Sequence, residues 1–223
     1  MKVKKFPQSH LVISKNGKTL IIDPGYITFD PSIMDSASSP QGSGQVYKVA
    51  DFQNADVYLI THQHEDHLGS ETIKEVAGNK PVLGNFDVVN KLKEAGVEVA
   101  REIKNLEEIE IEGFKIKAVD LPHFKKEGVK MPPNTGFLID GVFFHPGDGD
   151  KAPEIISPNA AVPIAGATIT YDSALEFIKG IKAKVVIPIH YDWYKADPIE
   201  FKKLASNFGI DVRALSYGEE TEI

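Results

Sequence analysis

Two rhythms run through the order of apolar and polar residues in this chain, one of period two and one near 3.6, and each change of rhythm marks an element. Leu11-Val12-Ile13-Ser14 and Thr19-Leu20-Ile21-Ile22-Asp23 are apolar runs on either side of Lys15-Asn16-Gly17-Lys18, and the Asn-Gly pair predicts a tight β-hairpin. Residues 26–52 follow with no period and a middle rich in Ser, Gly and Pro, a stretch that reads as a loop on the substrate side. Asp56-Val57-Tyr58-Leu59-Ile60 reads as a buried strand, 70–77 as a helix stopped by Gly78, and Pro81-Val82-Leu83-Gly84 as a strand. A helix over 86–95, closed by Gly96, and a strand at Val97-Glu98-Val99 complete a βαβαβ series.

The period-two rhythm returns over 109–119, where apolar and charged residues alternate about Glu112-Gly113, as in a hairpin with one wet face. Residues 134–148 form a further hairpin, turned at Asp140-Gly141. A short strand at 160–164, an amphipathic helix at 173–181 and a buried strand at 184–190 come next. Asp197-Pro198 opens a last helix that Gly209 stops, and a strand follows at 210–215. The order of hairpin then alternating strands and helices thus occurs twice. Each half forms a mixed sheet with helices on one face, so the two sheets must bury their other faces against each other. The expected fold is α/β, a four-layer αβ/βα sandwich of two mixed β-sheets flanked by helices, in a single domain spanning 1–223.

Composition narrows the class of partner. The chain is 42% hydrophobic and 26% charged, as ordinary globular proteins are, and no apolar run reaches the roughly 18 residues of a membrane span. Met1-Lys2-Val3-Lys4-Lys5-Phe6-Pro7 is basic but has no apolar stretch after it, so a secretory signal is not expected and cytoplasm is the default compartment. With no cysteine there is no disulfide, thiolate ligand or thiol nucleophile. A net charge of −7 without clustered Lys and Arg argues against nucleic acid. A small-molecule substrate is the expected partner, and a homo-oligomer is left open.

The turn after the strand at 56–60 supplies the chemistry. Thr61-His62-Gln63-His64-Glu65-Asp66-His67-Leu68-Gly69 places three histidines and an aspartate within six positions, and these are side chains that zinc and similar metals take. The turn sits just past the carboxyl end of a strand, where open α/β sheets hold ligands. His62 and His64 alternate and face one way, which suits a first metal; Asp66 and His67 suit a second. Three more ligand-type residues, His123, Asp148 and His190, also end apolar strands. Each alone is an ordinary strand-end residue, but with the turn they are the complement that two metals need while leaving a position for water. Asp23 can either form a turn or aim its carboxylate at the histidines, and the role of His10 is open.

In order and approximate spacing, His62-x-His64-x-Asp66-His67, His123, Gly147-Asp148 and His190 resemble the ligand set of the metallo-β-lactamase fold superfamily, over nearly the whole chain. His145-Pro146-Gly147-Asp148 and Val185-Val186-Ile187-Pro188-Ile189-His190-Tyr191 look most like its metal-dependent hydrolase branch related to ascorbate-6-phosphate lactonases. The resemblance implies His62, His64 and His123 on one metal, Asp66, His67 and His190 on a second, and Asp148 bridging both. It implies two divalent ions, zinc first and manganese or iron as alternatives, with Asp66 and Asp148 as the catalytic carboxylates. Asp23 would orient a ligand, and His10 and His145 would lie beside the site; Ser9 replaces a glycine of that branch. The cysteine ligand of one class of true β-lactamases is missing, and the chain has no room for the added domains of thioesterase and nuclease branches.

Two such cations, two aspartates and a bridging hydroxide carry about one net positive charge, which favours an anionic substrate. The expected reaction is hydrolysis of an ester, lactone or phosphodiester by that hydroxide. Lys125, Lys126, Lys130, Asn134 and Thr135 are candidate contacts for an anionic group, although the lysines also fit a solvated loop. Two other readings remain. A mononuclear iron, persulfide dioxygenase-like oxidoreductase shares the fold and differs in metal content, and a non-catalytic metal-binding scaffold would have no reason to keep an open dinuclear site.

Overall fold

The computed structural model describes residues 1–30 and 47–223. Seven strands make a first sheet: β1 (Lys2–Lys5), β2 (Leu11–Lys15), β3 (Lys18–Ile22), β4 (Val57–Ile60), β5 (Val82–Gly84), β6 (Ala100–Glu102) and β14 (Glu220–Glu222), in the order β14-β1-β2-β3-β4-β5-β6. A second sheet holds β7 (Glu108–Ile111), β8 (Phe114–Leu121), β9 (Asn134–Ile139), β10 (Phe143–His145), β11 (Asn159–Pro163), β12 (Val185–Ile189) and β13 (Asp211–Val212), in exact reverse numerical order. Both are mixed. Pairing is antiparallel where hairpins built the sheet and parallel from β3 to β6 and from β10 to β13. Among the described residues, four α-helices accompany them: α1 (Ser70–Ala77), α2 (Phe86–Glu94), α3 (Tyr171–Ile181) and α4 (Pro198–Ser206).

The side-chain alternation of the strands explains the layering. Leu59 of β4 faces inward, and with Leu11, Ile13 and Leu20 it meets Phe114, Ile116, Phe137 and Ile187 of the other sheet in one buried cluster. Its neighbours Tyr58 and Ile60 face outward and pack under Ile73 of α1 and Val88 and Leu92 of α2. Val162 and Val186 likewise pack under Leu175 and Ile178 of α3 and Phe201 of α4. The fold is the expected four-layer αβ/βα sandwich.

Local signals hold where they rest on turn chemistry. Asn16 and Gly17, Glu112 and Gly113, and Asp140 and Gly141 all take positive φ, the conformation that two-residue hairpin turns require. The differences have local causes too. The strand expected at Val97-Glu98-Val99 forms at β6 instead, because the Val97 N–H still donates to the Leu92 carbonyl and closes α2. The strand expected at 210–215 shrinks to β13, with Ile210 bonded back to Ala205. Helix α3 starts at Tyr171, two residues before the expected 173, because the Thr170 side chain caps it by accepting from the Ser173 N–H. Two strands were not foreseen. In β1 the inward positions are Val3 and Lys5, and a lysine hides the apolar alternation; β14 brings the end of the chain back to pair with it. The central part of the proposed substrate-side loop, 31–46, lies outside the described residues, and its flanks include short 3-10 turns at Tyr26–Phe29 and Val49–Phe52. Among the described residues, no helix is long and apolar enough to cross a membrane.

Candidate metal centre

The carboxyl ends of β4, β8, β10 and β12 meet at one edge of the sandwich. Past β4 the chain curls tightly, the His67 and Leu68 N–H groups both donating to the His64 carbonyl, so that His62, His64, Asp66 and His67 fan out from one turn. Four bonds tie that turn and the amino-terminal segment to the second sheet: Thr135 N–H to the Thr61 carbonyl (3.0 Å), His190 N–H to the Gln8 carbonyl (3.1 Å), and two from Asn85 Nδ2, to the Thr61 and Pro133 carbonyls (3.1 Å each). His190 comes directly after β12 in a left-handed conformation, φ 59°, which a non-glycine residue adopts only when its surroundings hold it there.

Seven side chains converge as two adjoining groups. His62, His64, His123 and Asp148 bring one ligand atom each within 4.8 Å of one another, and so do Asp66, His67 and His190. In the first group His64 Nδ1 is 3.0 Å from His62 Nε2 and 3.2 Å from His123 Nε2. Asp148 lies between the groups. Its Oδ2 is 3.3 Å from His123 Nε2 and 3.2 Å from His190 Nε2, while Oδ1 is 3.1 Å from His67 Nε2.

The outward ring nitrogens show what the inward ones can do. His123 Nδ1 donates to the Phe124 carbonyl and His190 Nδ1 to the Ala165 carbonyl, both at 2.8 Å, while His67 Nδ1 meets Asp23 Oδ2 at 2.7 Å. Thr61 Oγ1 lies 3.1 Å from His62 Nδ1 and donates to Asp23. With a proton on each outward nitrogen, the inward nitrogens present lone pairs to one another and to carboxylate oxygens. His67 Nε2 and Asp148 Oδ1 are fully buried and, although 3.1 Å apart, make no well-oriented hydrogen bond among the described residues. Such a set is compensated only by protons or by cations, and imidazole plus carboxylate suits divalent zinc, manganese or iron. The residues therefore fit a metal centre. Asp23 accepts from the Thr61 N–H as well, so one carboxylate sets both His67 and the start of the turn. Asp23→Asn is expected to weaken metal binding about 10- to 100-fold, measured by competition with a chromogenic chelator, while the fold is retained.

Charge coupling reinforces the fit. Burial disfavours the His190 and His67 imidazoliums, but Asp148 and Asp66 outweigh it, lifting His190 to about 10 and His67 well above its usual range. Burial pushes His62 well down and lowers His64 and His123, with less compensation from the aspartates. Burial alone would raise Asp66 and Asp148, yet the facing histidines hold both carboxyls far below their usual values. With metal removed, the raised His190 gives stability that is complete below about 6.5 and is lost as pH rises toward about 10. Metal must displace the same protons, so its affinity rises with pH. The rise in Tm on adding zinc or manganese is expected to be larger near pH 8 than near pH 6; an equal or smaller rise would contradict this coupling.

Other expected contacts take different roles. Asn134 and Thr135 are buried and serve the scaffold rather than a substrate: Asn134 Oδ1 accepts from the Asp148 N–H at 3.0 Å, and Thr135 Oγ1 donates to Asp120. His145 donates from Nε2 to the Ser9 carbonyl and accepts the Gly147 N–H at Nδ1, which braces the loop carrying Asp148. His10 is buried between Phe6 and Phe52, with Nδ1 at 3.0 Å from Thr28 Oγ1. Lys125, Lys126 and Lys130 line a cleft of about 920 Å³ that opens onto His64 and His123.

Gln8 was not foreseen. Its Nε2 donates to Asp66 Oδ2 at 3.1 Å, and its own backbone, at φ 58°, is gripped by Asp192 through the N–H and by Lys5 Nζ through the carbonyl. Lys5 is wholly buried; burial pushes its ammonium down to about 8 against the pull of Asp192 3.9 Å away. A lone Gln before a strand carries no sequence signal for such a part.

The comparisons agree with the geometry. The family described as the β-lactamase superfamily domain matches residues 2–190. A UPF0173 metal-dependent hydrolase of Thermoplasma volcanium is 30% identical across the full length of both chains, and one of Thermoplasma acidophilum is 35% identical over 69% of this chain and 75% of its own. Among solved structures, the metallo hydrolase Igni18 of Ignicoccus hospitalis superposes with a TM-score of 0.73 at 23% identity, over 100% of this chain and 98% of that one. A sandwich that gathers histidines and aspartates at one edge, and relatives that share both length and sequence, lead to one conclusion: the chain belongs to the metallo-β-lactamase superfamily and is one of its metal-dependent hydrolases.

Proposed function

We propose that the chain hydrolyses an ester, lactone or phosphodiester bond in a small anionic substrate, using two divalent metals. His62, His64 and His123 would hold one and Asp66, His67 and His190 the other, with Asp148 between them. The observation that carries this reading is the pair of adjoining groups, each of ligand atoms within 4.8 Å, backed by the buried His67 Nε2 and Asp148 Oδ1, which make no well-oriented hydrogen bond among the described residues. When bound, such a metal pair polarises a carbonyl or phosphoryl oxygen and lowers the pKa of a water toward about 7.

The chain's own groups supply the rest. Asp148 is buried between the groups, with Oδ2 toward His123 of the first and His190 of the second and Oδ1 toward His67 of the second, which fixes their separation. Asp66 is more open and lines a second cleft, and the Gln8 amide steadies its Oδ2 where it faces His67 and His190. Lys126 lines both clefts, and with Lys125 and Lys130 it offers positive charge to an anionic group. A lactone is the first candidate substrate, in keeping with the branch that the motifs resemble.

Elemental analysis of the purified protein, followed by assays on lactones, carboxylic esters and phosphodiesters, tests the proposal. Two equivalents of zinc or manganese with turnover support it. A single iron with oxygen consumption on a persulfide would establish the oxidoreductase reading instead, and full metal loading without turnover on any member of the panel would overturn this choice of substrates.

A further inference from the structure

The cleft above Asp66, Asp148 and His190 has a volume of about 360 Å³ and walls of an unusual kind for an acidic chain. Tyr26, Phe124, Val129, Met131, Trp193 and Tyr194 surround it. Ten large apolar side chains are exposed among the described residues, and four of them line this one cleft: Tyr26 (39% exposed), Val129 (48%), Trp193 (59%) and Tyr194 (42%). Single exposed apolar residues need no explanation, but their convergence on a concave site beside reactive polar groups marks a ligand surface.

The aromatic wall is also indexed to the metal centre. The Trp193 backbone N–H donates to Gln8 Oε1 at 3.5 Å, the same side chain whose Nε2 holds Asp66. The Tyr194 ring lies 5.5 Å from the His190 ring, centroid to centroid. Asp192, next in the chain, is pinned by the Gln8 N–H and the Tyr217 hydroxyl. The backbone of Trp193 is thereby fixed over the cleft, and the Tyr194 ring, packed on the His190 imidazole, meets a substrate with less loss of rotamer freedom than a free ring would.

We infer that the substrate carries an aromatic ring, or an apolar group of similar breadth, on the acyl side of the bond that is cleaved, and that Trp193 and Tyr194 select it. This deepens the hydrolase reading and rests on it for the position of the reacting bond. A volume of about 360 Å³ accommodates one ring with a short linker, at the small end of ligand pockets.

Trp193 is the sole tryptophan of the chain, so its fluorescence reports on this wall alone. On the metal-loaded protein, phenylacetate is expected to change that fluorescence saturably and acetate at equal concentration is not. Methyl phenylacetate and methyl butyrate share a leaving group, and the first is expected to be favoured in kcat/KM about three- to tenfold. Trp193→Ala should bring that ratio close to one, and Trp193→Phe should keep most of it. Where both esters turn over, the ratio decides: no preference, or a preference untouched in Trp193→Ala, overturns the inference and leaves the hydrolase reading standing. Where neither turns over, the fluorescence decides: saturable binding of phenylacetate sustains the aromatic wall while the ester reading falls, and no binding overturns the wall as well.

Discussion

Asp148→Ala is expected to abolish turnover, by on the order of 10³-fold or more, and to reduce bound metal below two equivalents per chain. The size of the effect follows from position. Asp148 is 1% exposed and faces both ligand groups, with Oδ2 toward His123 and His190 and Oδ1 toward His67. Removing it takes away a negative charge where two cations would otherwise repel each other, in a site too buried for water to screen them. His64→Ala should act in the same direction through the first group, where its Nδ1 is the nitrogen closest to both His62 and His123. Lys125→Ala serves as the contrast: it lines the wider cleft but contributes no atom to either group, so metal content should be unchanged. Elemental analysis and activity on the same preparations check all three. An Asp148→Ala protein with two equivalents of metal and undiminished turnover would remove the basis for the proposed function.

Gly25→Ala is expected to cost about 3 kcal/mol of stability, a fall in Tm of roughly 6–12 °C for a chain of this length, and to lower metal content at the same time. A Cβ at Gly25 would stand 2.1 Å from both the carbonyl carbon and oxygen of Asp66 and 2.6 Å from the His67 nitrogen. These are backbone atoms, so no rotamer change relieves the clash. The collision presses on Asp66 and His67, two of the three residues that carry ligands of the second group, which links the loss of stability to the loss of metal. Backbone conformation is not the issue, because Gly25 has φ −72°, open to any residue. Gly17→Ala makes the opposite comparison. It has nothing within 4 Å of a new Cβ but sits at φ 77°, so it should cost only about 1 kcal/mol and leave metal binding alone. Thermal unfolding with metal analysis separates the two; equal metal content in both variants would show that the Asp66 turn tolerates the displacement.

Much of this centre is written in short stretches of chain. His62, His64, Asp66 and His67 fall on one turn because a tight turn after a buried strand exposes successive side chains in different directions, and that turn is local. Hairpins at Asn16-Gly17 and Asp140-Gly141, and the helix stop at Gly78, are legible for the same reason: positive φ is a property of one or two residues. Strand ends at His123, Asp148 and His190 could be read from where each apolar run stops.

Other features depend on partners far away in sequence. A lysine in an inward position of β1 reads as a solvated charge until Asp192 and the rings of Tyr191 and Tyr217 are brought beside it. Gln8 becomes a brace for Asp66 only when the loop at 191–197 closes on it, more than 180 positions later. Asn134 looks like a substrate contact beside three lysines, yet folding turns it onto the Asp148 loop. Periodicity and turn chemistry act over a few residues and so appear in the one-dimensional pattern. Hydrogen bonds and ion pairs between distant segments take their meaning from a shared low-dielectric interior, which exists only once the two sheets have packed.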